Sequence, residues 1–385
     1  MLLDHGYPVY VFAWDRNGEF PALDMVDGAT VRSFSFGKLN KFYKLGLILG
    51  STVFQILVFF EIIKLVGRLK NRPIVHAHDI NTLLPACYLR ALRLCCALVY
   101  DCREFTYGVY YEWFSLVVAS VMSAIEQRCL PCADAVITVS DPIACYLRRF
   151  NPVTEIVYNC PRTNDIPKLS KKEARIRLGL PLDSFIISYV GAIRYDSRLD
   201  LLLSVARLTE KHNVHFVVVG DGPLASKFRQ AAREAASAHL TVLPAVPREM
   251  ALLYVVASDL TWVVYQNRIE SLNARWALPW KFFESLACGV PVVAEGGTIR
   301  SKLINELKCG VVLESDDPND VSRAILWIAA HPDQHLKMCA NARYASAAMK
   351  FNWEAMSTKL IGVYSRLPWA RRFTFGPGVE NSRTR

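Results

Sequence analysis

The 385-residue chain has a single C-x-x-C, Cys129-Leu130-Pro131-Cys132, and no second pair to complete it. Spacing therefore gives no basis for a zinc finger or redox centre, and two thiols at a helix-to-strand junction are expected instead. An RNP-like aromatic motif and other nucleic-acid signatures are absent too, so the net charge of +10 does not point to nucleic acid. It calls for another anionic partner, a sugar nucleotide or an anionic lipid surface. The first residues, Met1-Leu2-Leu3-Asp4-His5-Gly6, have neither a basic nor an apolar stretch, and no signal peptide is expected. Eleven cysteines lie scattered in apolar runs such as Leu94-Cys95-Cys96-Ala97, the usage of buried free thiols in a reducing compartment. The expected location is cytoplasmic.

What is present is a regular alternation of short apolar runs with longer helical patterns, which argues for an α/β chain of parallel sheets with helices on both faces. Strands are expected near residues 9–13, 30–34, 74–77, 98–101 and 135–139, then 185–190, 214–219, 241–243, 260–264, 290–294 and 310–313. At 52% hydrophobic residues the chain can fill two cores. A proline-marked basic linker from Asn159-Cys160-Pro161 to Pro181 separates them. The expected scheme is a first domain over residues 1–165, a second over 166–348, a helix at 349–368 crossing back to the first, and a disordered tail at 369–385. The run Leu45 to Val66 is long enough to span a bilayer, yet it carries Gln55, Glu61 and Lys64. A core or cleft helix, shallow interfacial docking and spanning all stay open for it, and residues 107–124 form a second apolar stretch.

Three segments carry chemistry. In Leu278-Pro279-Trp280-Lys281-Phe282-Phe283-Glu284, Pro279 suits a helix start, and Lys281 and Glu284 lie three apart on one face. A cation in a first turn is disfavoured by the helix dipole unless an anion sits beside it, which points to a bound phosphate; Glu284 could then meet a vicinal diol. An ordinary surface Lys–Glu pair would show the same spacing. The second segment, Tyr189-Val190-Gly191-Ala192-Ile193-Arg194-Tyr195-Asp196-Ser197-Arg198, is a strand opening into a loop and a helix, the mouth at which parallel sheets bind phosphates. The third, Val219-Gly220-Asp221-Gly222-Pro223, is a strand-to-turn signal followed at a distance by Pro244-Ala245-Val246-Pro247. In the first domain Val75-His76-Ala77-His78-Asp79 places two histidines on one face of a strand end. A metal site there lacks a clear third ligand.

Together these segments resemble glycosyltransferase family 4, over about residues 6–365. The resemblance implies the GT-B fold, two Rossmann-like domains with parallel sheets facing a central cleft. It implies that Glu284 holds the donor ribose, that Arg198 and Lys281 neutralise the departing diphosphate, and that Gly191, Gly220, Gly222 and the backbone at Val246 shape the nucleotide site. The family's first glutamate falls on Ala277, so the chain is similar to the branch with Asn273 and a Leu-Pro-x-Lys turn. Arg194 stands in for an arginine often found straight after the glycine. On the acceptor side the resemblance places His78, Asp79, Arg103 and Glu104, with Arg103 where a donor-touching histidine is common, and Ser140 at a strand end. The family's first strand and glycine loop precede the words that here read Gly6-Tyr7-Pro8-Val9, so a first lobe without that strand is expected. The implied function is retaining, metal-independent transfer from a UDP- or GDP-sugar to a lipid-linked or glycan acceptor, with peripheral contact at the inner face of the cell membrane. A non-catalytic nucleotide-sugar-binding subunit and a sugar-nucleotide epimerase are the alternatives.

Overall fold

A computed structural model describes residues 1–36, 43–235, 239–266, 272–349 and 351–367. The chain divides into two compact units. One holds Met1–Thr138 and Ala144–Ile156 together with the chain from Ser357 onward; the other holds Val139–Ile143 and Val157–Met356. Residues 369–385, read from sequence as a disordered tail, lie outside the described residues.

In the first unit, β1 (Tyr10–Asp15), β2 (Leu23–Val26) and β3 (Ala29–Ser35) form a sheet of order β1-β3-β2, parallel between β1 and β3 and antiparallel between β3 and β2. The β2–β3 hairpin turns on Asp27-Gly28, both at positive φ (49° and 83°), as a two-residue hairpin loop of the primed type requires. The strands β4 (Ile74–His78), β5 (Ala97–Cys102), β6 (Ala135–Thr138) and β7 (Thr154–Ile156) form a separate parallel sheet in that order. Among the described residues β1 pairs only with β3 and β4 only with β5. Leu98, Val99 and Tyr100 are fully buried, as a central parallel strand covered on both faces must be.

The second unit is built on one parallel sheet from β8 (Phe185–Val190), β9 (Val214–Val219), β10 (Leu240–Leu243), β11 (Leu260–Trp262), β12 (Val292–Glu295) and β13 (Gly310–Leu313). The order is β10-β9-β8-β11-β12-β13, and the core packs Ile187, Tyr189, Phe216, Trp262 and Val293 between sheet and helices. Ahead of it the linker forms a short helix, Lys171–Leu178, closed by a Ser170/Glu173 capping box and by Gly179 in the left-handed region. Arg175 is buried there against the Asp259 carboxylate and the Ala257 carbonyl.

The long apolar run forms a helix, Tyr43–Val66, and its outcome is specific. Of the stretch Leu49–Val66 only 11% is buried, which removes the core-helix reading. Gly50 lies flat on the Trp14 indole, where a Cβ would come within 2.5 Å of the ring, and Phe54 is buried beside the same ring. Glu61 pairs with Arg32 of β3 at 2.9 Å and with Lys64 at 3.0 Å. The apolar residues Leu49, Val53, Ile56, Leu57 and Phe60 stay exposed.

Candidate functional site

The loops after β8 and β9 are knitted backbone to backbone. The Gly191 N–H donates to the Val219 carbonyl at 3.0 Å, the Ile193 N–H to the Asp221 carbonyl at 2.8 Å, and the Leu224 N–H to the Ile193 carbonyl at 3.2 Å. This approach is why glycine stands at both turns. A Cβ on Gly220 would lie 1.9 Å from the Gly191 oxygen, and one on Gly222 2.7 Å from the Ile193 oxygen. Gly220→Ala is therefore expected to cost about 1–3 kcal/mol, since backbone and not a flexible side chain must move. Urea unfolding of the variant beside the parent measures it, and an unchanged midpoint would refute the packing.

Gly191 has a further part. A Cβ there would stand 3.2 Å from Nζ of Lys281, so the loop leaves room for an ammonium. Lys281 enters from the helix Trp280–Ala287, for which Pro279 is the extended N-cap. Its Nζ sits 3.9 Å from the Tyr189 ring centroid and 5.2 Å from that of Tyr265. Burial pushes its pKa down to about 7, with Asp196 and Glu284 opposing the fall and Arg194 and Arg300 adding to it. Ring faces attract a cation but replace only part of its lost hydration. One oxygen of the Asp196 carboxylate meets Arg194 at 3.1 Å while Oδ1 is buried with no hydrogen-bond partner among the described residues. Behind this group Arg300, almost wholly buried, pairs with Glu295, donates to the Ala277 carbonyl at 2.5 Å and lies over Tyr265.

Glu284 follows one turn after Lys281. Burial raises its pKa, and Arg248 and Lys281 pull the other way. Arg248, at the start of the helix Arg248–Val256, reaches its carboxylate at 3.1 Å and stacks over Trp280 at 4.9 Å. Val246, on the loop before that helix, packs against the core cluster containing Val219 and Leu253. Arg198 is held elsewhere on the same loop. It caps the helix Leu199–Leu208 at φ 43°, an unusual conformation for a residue with a side chain, and pairs with Asp316 at 3.0 Å and Asp200 at 3.4 Å. So Gly191, Arg194, Lys281 and Glu284 converge, Gly220 and Gly222 support them, and Arg198 is tied to surface carboxylates. A hollow of about 460 Å³ in this unit, walled by Tyr158, Leu303, Tyr344 and Phe351, contains none of these side chains. The site, as described, is a cluster of loops at the sheet's strand ends.

The residues that the resemblance placed on the acceptor side lie in the first unit. His78 Nδ1 and the Asp101 carboxylate are 3.0 Å apart, and the His76 and His78 rings stack with centroids at 4.6 Å. Burial would raise the Asp101 pKa, but the two imidazoles beside it hold it well below the usual range. Asp79, at φ 57°, accepts from the Arg103 guanidinium at 2.8 Å and from the Arg103 N–H at 3.2 Å; Glu104 is exposed. Beneath them Glu126 is fully buried, its carboxylate accepting from Tyr100 and Thr106 hydroxyls at 2.6 Å each. The sequence reading assigned no role to Asp101, Arg248, Asp196, Tyr265 or Tyr364.

Two family models match the chain: "Glycosyltransferase Family 4" over residues 1–163 and "Glycosyl transferases group 1" over residues 170–345. Among curated proteins, the D-inositol 3-phosphate glycosyltransferase of Thermomonospora curvata is 30% identical over 206 residues, covering 50% of this chain and 45% of that protein. The protein of the same name from Streptosporangium roseum is 28% identical over 225 residues, covering 55% and 49%. The chain thus spans about half the length of the curated relatives it matches. Among solved structures, sucrose-phosphate synthase from Thermosynechococcus elongatus superposes with a TM-score of 0.76 at 21% identity, covering 96% of this chain and 91% of that one. Anabaena HepE in complex with UDP and glucose gives a TM-score of 0.64 at 16% identity, covering 88% and 87%. These likenesses show the fold. With a family 4 domain followed by a group 1 domain on a GT-B fold, the chain belongs to the family 4-like glycosyltransferases.

Proposed function

We propose that this chain transfers a sugar from a nucleotide diphosphate sugar to a hydroxyl of a glycan or lipid-linked acceptor, with retention of anomeric configuration. The observation that carries the reading is the ammonium of Lys281, withdrawn from water against Gly191 and two tyrosine rings with no carboxylate in direct contact among the described residues. Such a group is completed by an anion arriving at the strand mouth. Glu284, one turn on, takes the ribose hydroxyls once it exchanges its contact with Arg248. As the bond between the anomeric carbon and the diphosphate breaks, Lys281 stabilises the departing charge, with Arg198 joining when it leaves Asp316. Protein cations supply this charge, so the transfer is proposed to need no metal at the diphosphate. Uracil is the favoured donor base because several neighbours of the same fold were solved with UDP or UDP-sugars.

The test is a thermal-shift titration with UDP, GDP and ADP. At a hundredfold excess over Kd, binding adds about 2.7 kcal/mol of apparent stability. A shift with one of them that Glu284→Ala loses supports the donor site, and none with any nucleotide would refute it. Transfer to an acceptor then separates an enzyme from a non-catalytic binding subunit.

The same reading places the chain at the cytoplasmic face of a membrane. Support comes from the exposed apolar side of the Tyr43–Val66 helix, from the net positive charge and from cysteines that are all free thiols. Ile56→Glu and Phe60→Glu together are expected to lower partition onto anionic vesicles by about tenfold or more, because each removes a side chain worth about 1.5–3 kcal/mol when buried. Co-sedimentation measures this, and equal partition of parent and variant would exclude this face as the contact.

A further inference from the structure

We propose that His76, His78 and Asp101 form a binding site for a divalent transition-metal ion, with Zn²⁺ the metal best suited to two imidazoles and one carboxylate. The register of the first unit's parallel sheet places the three together. His78 of β4 pairs with Asp101 of β5, and His76 lies two residues earlier on β4, so all three side chains leave the same face. One ligand atom from each lies within 4.8 Å of the others. His78 Nδ1 and His76 Nε2 are 3.0 and 3.8 Å from the same Asp101 oxygen. Atoms bound to Zn²⁺ at about 2.0–2.1 Å with tetrahedral angles stand roughly 3.3 Å apart, between those two separations.

A metal-free hydrogen-bonded cluster explains only part of this arrangement. The His78–Asp101 contact is a good hydrogen bond. His76 Nε2, however, is buried with no hydrogen-bond partner among the described residues, too far from Asp101 to bond it and aimed at the same oxygen. Leaving a buried ring nitrogen unmet is costly. The other nitrogen of that ring is fixed: Nδ1 lies 2.5 Å from the Tyr364 hydroxyl, on the helix Trp353–Ser365. An imidazole held by an outer hydrogen bond on one nitrogen and bare on the other is the arrangement in which proteins present histidine to a metal. His78 is more than half exposed, which gives the ion a route in and leaves a coordination position for water or a hydroxyl-bearing ligand. The inference stands without the proposed transfer reaction.

The experiment is titration of the chelator-treated full chain with Zn²⁺ alone, followed by isothermal calorimetry, and with Co²⁺ as a spectroscopic probe. One equivalent per chain is expected, with a Co²⁺ spectrum of nitrogen and oxygen ligation lacking a thiolate charge-transfer band. His78→Ala, at an exposed position and checked for an unchanged melting temperature, should weaken binding at least tenfold. Tyr364→Phe should weaken it about tenfold by freeing the His76 ring. The competing site is the thiol group of Cys87, Cys129 and Cys132, whose side chains interact. No stoichiometric binding, a loss under tenfold in His78→Ala, or a thiolate band abolished by Cys132→Ser would overturn the proposal.

Discussion

Replacing Lys281 by methionine is expected to lower kcat/KM for sugar transfer by about 10²–10³, the usual cost of removing one preorganised electrostatic donor from a site where charge develops. The ammonium lies against the Gly191 backbone and the faces of Tyr189 and Tyr265, and no carboxylate forms an ion pair with it among the described residues. A cation so placed is poorly solvated, and on the proposed donor assignment the diphosphate supplies what the protein withholds. Its stabilisation therefore grows as negative charge collects on the leaving group. The control follows from the same reasoning. Removing a buried cation that has no ion-pair partner among the described residues, and leaving an apolar side chain of similar length, relieves a burial cost, so Lys281→Met should melt at the parent temperature or above it. Loss of transfer with stability kept separates this from misfolding. Wild-type transfer by the variant would sink the donor assignment. Arg194→Ala should have a smaller effect, because that side chain is half exposed and already shares charge with Asp196.

What could be read from sequence was what lies close along the chain. Pro279, Lys281 and Glu284 belong to one helix start, and Gly191, Gly220 and Gly222 each follow an apolar strand, so local pattern sufficed to pick them out. Partners set by tertiary contact escaped it. Arg248 stood in plain view after Pro247, yet nothing local says that its guanidinium reaches the next helix. Asp101 was seen only as the end of a strand, since its place beside His78 depends on register, and Tyr364 lies 288 residues from the His76 ring it holds. Gly191 was read as shaping the nucleotide site, and a Cβ there would also stand against Lys281, a partner that local pattern does not show. Of the strands, β2 escaped because all four of its residues are exposed, although Asp27-Gly28 was a usable hairpin signal, and β7 because it is three residues long. The Leu45 to Val66 run shows the limit of composition. A helix apolar all round does not say which side the fold covers, and here Trp14 chose Gly50 and Phe54.

Nucleotide affinity is expected to fall steeply with pH from neutrality, by up to about fiftyfold between pH 7 and pH 9. Unliganded Lys281 has its pKa pushed down to about 7 by burial, against about 10.4 for a free lysine. The charges around it are those of Asp196, Glu284, Arg194 and Arg300. Below pH 7 the group is charged in folded and unfolded chains alike, and its burial cost is fully present. Between pH 7 and about 10 the unfolded chain keeps a proton that the folded chain has released, so this group makes the unliganded fold more stable as pH rises. Binding runs in the opposite sense. A diphosphate beside Nζ restores the charged form, so above pH 7 the complex must take up a proton, and Kd rises about tenfold per pH unit until the pKa of the complex is reached. Calorimetry at pH 8 in two buffers of different ionisation enthalpy should therefore show uptake of nearly one proton per nucleotide, and Lys281→Met should show none. An affinity that is flat from pH 7 to 9, with no proton uptake, would mean that the two tyrosine faces alone keep the ammonium charged, and that the diphosphate gains from Lys281 only what it would from a solvated lysine.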